Sequence, residues 1–246
     1  RAIDGTTNGT ALALPDYWPD EHKAITDKGW LVDAYQAEVR EVDAQVGRVL
    51  DALRSNGVLD DTLVVITADH GESLTEHDYL FDHGDHLYDV SLRVPLLVRW
   101  PSVIGAGGTV DCSTSTASVA PTIVGLLGLT DESPPSAADL SGVVQGVLPC
   151  TDTEVLASTV TEKFSDPPPI AHALRSTVQK HLRPASGEDV CFDLSADPSE
   201  DTPMLECDVA MADRLGNALS SRAPVRSPKT DAETQQALEE LGYIEP

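Results

Sequence analysis

Four of the seven histidines, His70, His77, His83 and His86, crowd into one short stretch of the chain. The first follows an acid directly, at the end of Thr62-Leu-Val-Val-Ile-Thr-Ala-Asp69-His70-Gly71-Glu72. A carboxylate oxygen beside an imidazole nitrogen can coordinate Ca, Mg, Mn or Zn, and two ligands do not discriminate among them. Downstream, His83, His86 and Arg93 have the chemistry to hold the oxygens of a tetrahedral anion and to protonate a leaving alkoxide. His77 comes earlier in the loop and is expected on the surface. Simpler readings compete. Asp69-His70-Gly71 can be a tight turn, with Asp accepting backbone N–H groups and Gly at positive φ. On the residues alone, Arg93 is better explained by pairing with Asp89 or a neighbouring carboxylate. Glu72 either caps a helix start or orients a metal ligand from behind.

The elements that must position these residues follow from periodicity. Apolar Leu31, Tyr35, Val39, Val42, Val46, Val49 and Leu53 recur at spacings of three and four, which predicts one long amphipathic helix stopped at Asn56-Gly57. Leu63 to Ile66 is a continuous β-branched run of the kind buried on both faces of a parallel sheet, and it delivers Asp69 and His70 to the carboxyl edge where α/β proteins bind ligands. Val94 to Trp100 gives another core strand, with Pro95 near its start. Ser118 to Leu127 reads as a short apolar helix, and the Pro/Ser/Asp/Gly-rich segment 131–149 as a loop or linker. Beyond it come short β-like runs, Glu154–Val160, Ala173–Leu182 and Val190–Leu194, which predict a small antiparallel sheet. Helices are expected near Met204–Leu219 and Asp231–Leu241. The Pro167-Pro-Pro169 run is a loop without assigned function. The division is therefore 1–149 and 150–246.

Composition bounds the function. Acidic residues outnumber basic ones 41 to 16, a formal charge of −25, and most of the basic residues are Arg. Such a surface repels nucleic acid and anionic membranes. It suits a salt-rich cytoplasm, where screening shortens to roughly 3 Å at 1 M, so a halophilic source and a cytoplasmic location are expected. Cys112, Cys150, Cys191 and Cys207 form no C-x-x-C pair, and they read as small buried or half-buried thiols. No apolar run is long enough to cross a bilayer. Arg1 opens the chain with no leader, from which a missing N-terminus is expected.

Taken together, Asp69-His-Gly-Glu72, His83-Gly84, Leu87-Tyr-Asp89 and Arg93-Val-Pro-Leu-Leu-Val98 resemble the C-terminal half of the sulfatase family, in the alkaline-phosphatase superfamily. The likeness runs back through Tyr35–Asp43 and Gly47–Leu53. It runs forward through Ala120-Pro-Thr-Ile-Val124, Phe192–Glu200 and Leu238–Glu245. The resemblance implies an α/β core, a mixed sheet flanked by helices, followed by a small C-terminal antiparallel sheet and a terminal helix. It makes Asp69 and His70 ligands of one divalent metal, most naturally Ca, with Mg or Mn as alternatives. His83 stands nearest the place of the family's cationic sulfate contact, with His86 the competitor, and Arg93 is a further substrate contact. The implied reaction is hydrolysis of a sulfate ester by a formylglycine nucleophile made from Cys or Ser in C/S-x-P-x-R. No Cys or Ser here begins that pattern, so the chain is expected to be a distal fragment holding part of the site. Phosphodiesterases, phosphonate monoester hydrolases and phosphoglycerol transferases of the superfamily are the enzymatic rivals. A non-catalytic remnant is the other.

Overall fold

A computed structural model describes residues 28–79, 81, 83–129, 137–160 and 170–221. The expected helix at Asp231–Leu241, the closing Leu238–Glu245 likeness and the Pro167 run lie outside these residues.

The long periodic segment forms helix α1, Lys28–Ser55, with Gly57 at positive φ ending it. Its apolar stripe is only partly covered. Leu31 is buried, but Val39, Val42 and Val49 are more than half exposed. A short turn at Leu59–Asp61 leads into β1, Val64–Thr67.

Here the structure differs from the sequence reading. Strand β1 pairs antiparallel with β2, Leu96–Arg99, in a two-stranded sheet, and both strands are half-buried or exposed rather than enclosed on two faces. Between them lies the histidine-bearing segment and a one-turn helix α2, Asp89–Leu92. After β2 come α3, Val119–Leu126, with Pro121 in its first turn, and the short α4, Ser141–Val144.

Strands β3 (Val155–Val160), β4 (Ile170–Arg175), β5 (Gln179–Arg183) and β6 (Val190–Asp193) form the expected antiparallel sheet in the order β3-β4-β5-β6. The run Ala173–Leu182, read as one strand, is two. The Ser176 hydroxyl accepts the N–H groups of Val178 and Gln179 and turns the chain without Gly or Pro. The closing helix α5, Val209–Ser221, lays Met211 and Leu215 on Leu174.

Because side chains alternate across a strand, this sheet has two differently occupied faces. One carries Leu156 and Leu174 against α5. The other packs Ala171, Ala173 and Leu182 against Leu87 and Leu92 of the histidine segment. The second face fixes the loop after His83.

The cysteines correct the sequence reading. Cys112 is bonded to Cys150 and Cys191 to Cys207, at Cα separations of 6.0 and 5.5 Å. The thiol reading failed because spacing along the chain says nothing about proximity once a loop and a strand end fold together.

Candidate functional site

Asp69 and His70 stand just past the end of β1, and both are exposed. The Asp69 carboxylate accepts the His70 backbone N–H at 3.0 Å, and His70 Nδ1 lies 2.7 Å from the Gly71 carbonyl. Gly71 is required here for close approach rather than for positive φ. A Cβ on it would come within 2.0 Å of the Val90 carbonyl oxygen, while its N–H donates to the Ser91 carbonyl at 2.8 Å. The strand end is thus locked to α2.

The following loop folds His83 back onto His70. The two imidazoles stack with centroids 3.8 Å apart, and Glu72 Oε2 holds His83 Nδ1 at 3.0 Å. His70, Glu72 and His83 present donor atoms all within 4.8 Å of one another. The other Glu72 oxygen, Oε1, is buried with no hydrogen-bond partner among the described residues, an acceptor that a cation would satisfy. Two imidazoles, a carboxylate and the adjacent Asp69 suit a divalent cation. Glu72 thus grips His83 rather than capping a helix.

The remaining histidines do different work. His86 is buried, with Nε2 at 3.2 Å from the Ser91 hydroxyl and its ring tilted against Tyr79. His77, expected on the surface, is half-buried and stacks on Tyr88 at 3.7 Å, in a left-handed backbone conformation. An aromatic face next to the loop covers it, which a surface reading of a lone polar residue leaves out. Burial, helped by Tyr79 and Glu200, raises the Tyr88 phenol above its ordinary value.

Arg93 does not pair with Asp89. It is exposed and lines an open cleft of about 1120 Å³ with Trp100, the 105–114 loop and Arg175. Asp89 is taken by others. Arg175 Nη2 and Lys180 Nζ reach it at 2.8 and 2.6 Å. Lys180 has no exposed surface, also donates to the Leu87 carbonyl at 3.0 Å, and ion-pairs with Glu200 at 2.5 Å. Glu200 in turn accepts the Asp89 backbone N–H. Burial pushes the Asp89 carboxyl up, but Arg175 and Lys180 outweigh it and hold it below the usual carboxylate range. The same hydrogen bonds raise the Arg175 guanidinium.

This four-membered clamp escaped the sequence reading. Arg175 and Lys180 are cross-strand partners on the loop-facing side of β4 and β5, and each is charged where its neighbours are apolar. A lysine sharing a strand face with Leu182 and paired across to Phe192 was the available signal.

Comparisons with known proteins agree with this architecture. The sulfatase family model matches residues 7–129. The chain is 27% identical to an ulvan-active sulfatase of Formosa agariphila over 71% of its own length and 34% of the relative's. It is 32% identical to a choline-sulfatase of Rhizobium meliloti, over 70% of the chain and 33% of that protein. The chain thus spans about a third of the length of these curated relatives. A phosphonate monoester hydrolase from Agrobacterium radiobacter superposes with a TM-score of 0.62 at 28% identity, covering 74% of this chain and 38% of that one.

Proposed function

The chain belongs to the sulfatase family, and we propose that it is the distal part of a metal-dependent hydrolase of sulfate esters. One observation carries the reading: His70, Glu72 and His83 converge within 4.8 Å beside Asp69 at the end of a strand. Residues 1–149 are read as the distal catalytic core and 150–246 as the C-terminal subdomain. Asp69 and His70 would hold one divalent cation, calcium by resemblance, with Mg or Mn as alternatives. When bound, the ion would supply positive charge against the negative charge that develops on the sulfate oxygens.

The chain's own residues divide the remaining tasks. Glu72 fixes the His83 ring against His70, so His83 is the better candidate for the anion contact and for stabilising or protonating the leaving oxygen. His86, the second candidate, is buried behind it against Ser91 and Tyr79, which favours support of the loop. Arg93 lies in the cleft and suits the outer part of an anionic substrate.

No Cys or Ser of this chain begins C/S-x-P-x-R, so we place the nucleophile, a formylglycine if the enzyme is a sulfatase, outside it. The 246-residue chain should then turn over neither aryl sulfates nor aryl phosphonates with any divalent metal, and a version extended upstream should recover one activity. Turnover of phosphonate in preference to sulfate would favour the second reading, which the likeness to a phosphonate monoester hydrolase supports. No turnover by the extended protein would favour a non-catalytic remnant. Metal-dependent turnover by the short chain, abolished by Asp69→Asn, would overturn the placement of the nucleophile.

The acidic surface supports a halophilic source. On location, the two disulfides favour an oxidising compartment over the cytoplasm that composition suggests.

A further inference from the structure

The face of the four-stranded sheet turned toward α5 holds a second cluster of ligating side chains, on the opposite side from Lys180 and the histidine loop. His181 of β5 and Cys191 of β6 are cross-strand partners, and the bond to Cys191 brings Cys207 against them. One donor atom from each of the three lies within 4.8 Å of the others. His181 is 1% exposed and Cys191 4%.

Behind the histidine stands a carboxylate. Asp189 Oδ2 is 2.6 Å from His181 Nε2. The Arg183 guanidinium reaches the same carboxylate oxygen at 2.7 Å. An ionised carboxylate only accepts hydrogen bonds, so in the neutral ring the proton sits on Nε2 and the Nδ1 lone pair is aimed at Cys191 Sγ, 3.2 Å away. A disulfide sulfur has no proton to offer that lone pair. A carboxylate–histidine pair aimed at two sulfurs is the arrangement that orients a metal-binding imidazole. Beside it lies a cavity of about 10 Å³ lined by His181, Cys191, Met204, Asp208 and Met211, room for one small ion or water.

We propose that, once the Cys191–Cys207 bond is reduced, His181 Nδ1 and the two sulfurs bind one zinc-class cation, with a water in the fourth position, and that oxidation expels it. A dithiol reductant gives two electrons and two protons to the S–S bond and is itself oxidised to its disulfide. The cation then displaces both thiol protons and takes the thiolates. Two thiolates and an imidazole fill three of zinc's four tetrahedral positions, and a water completes the set.

The test titrates cobalt into the full chain as a spectroscopic probe. The reduced chain should show a thiolate-to-cobalt charge-transfer band saturating at one ion per chain, and the oxidised chain none. The band should survive in Cys112→Ser/Cys150→Ser and vanish in Cys191→Ser. His181→Ala should weaken cobalt binding about tenfold or more, the loss typical of disturbing a site's ligand shell. A reduced chain with no such band overturns the proposal. So does a band that depends on Cys112 and Cys150 instead, or one whose strength His181→Ala leaves unchanged. Should the histidine variant fail to fold, the wild-type and cysteine comparisons decide by themselves.

Discussion

Single residues carry the candidate site unevenly. That Asp69 and His70 stand just past a strand end was legible because it is local, whereas the folding of His83 back onto His70 is set by the loop between them. The burial of His86 and His77 was not legible, since it is set by Tyr79, Tyr88 and Ser91 folding over them. This difference separates variants that look alike in sequence. Asp69→Asn should lower the affinity of the chain for Mn²⁺ and, in the extended enzyme, reduce turnover by orders of magnitude, because the charge that anchors the cation is lost. His83→Ala should instead spare Mn²⁺ affinity, read by calorimetry, and lower turnover of the extended enzyme through the lost anion contact. His77→Ala should leave that affinity intact and instead destabilise the fold by about 1 kcal/mol through the lost ring stack on Tyr88, read as a lower Tm. If His77→Ala lowers turnover of the extended enzyme more than His83→Ala does, the loop has been read in the wrong register.

Among the elements, short apolar runs announced β1 and β2, but nothing in the runs specified that they pair with each other antiparallel, because pairing is decided by the chain between them. What that chain does is bind to the C-terminal sheet. Lys180, Arg175 and Glu200 grip Asp89 and the Leu87 carbonyl, the N–H of Gly71 joins α2 to the turn after β1, and the Thr159 hydroxyl donates to the Gly84 carbonyl from β3. Removing one member of a buried charge cluster leaves the others uncompensated, so Lys180→Met should destabilise by about 3–5 kcal/mol, measured by urea unfolding. Gly71→Ala should cost about 1–3 kcal/mol, because the Val90 carbonyl must move. The clamp also sets an acid limit. Asp89 has its folded-state pKa depressed, so its contribution is present above the ordinary carboxylate value of 3.8 and is lost as pH falls below that toward the depressed value. An unfolding curve followed by circular dichroism should show an acid limb in this range that is shallower in Asp89→Asn. An identical limb in the variant would remove Asp89 from the explanation.

At the scale of the whole molecule, charge and covalent links pull in different directions. The formal charge of −25 was read directly from composition, whereas the two crosslinks were not, since four scattered cysteines look like thiols until the loop at Cys112 meets Cys150 and the β6 strand meets Cys207. The crosslinks close segments of 38 and 16 residues, which on the chain-entropy account stabilise by about 4 and about 3 kcal/mol. Opposing them at low salt is the mutual repulsion of the acidic surface. Screening extends to about 30 Å at 0.01 M salt and shrinks to about 3 Å at 1 M, so in dilute buffer each carboxylate feels many others and in molar KCl only its neighbours. The buried clamp at Asp89 should change little, because its partners are in contact and shielded from the solvent. The exposed acids on α1, such as Asp33, Glu38, Glu41 and Asp43, should account for more of the response. Tm should therefore rise steeply between low and molar KCl. Replacing several of these α1 acids with their amides should flatten the curve by raising its low-salt end, whereas Asp89→Asn should lower the whole curve without changing its slope. A chain equally stable in dilute buffer and in molar KCl would show that the acidic surface is not an adaptation to salt.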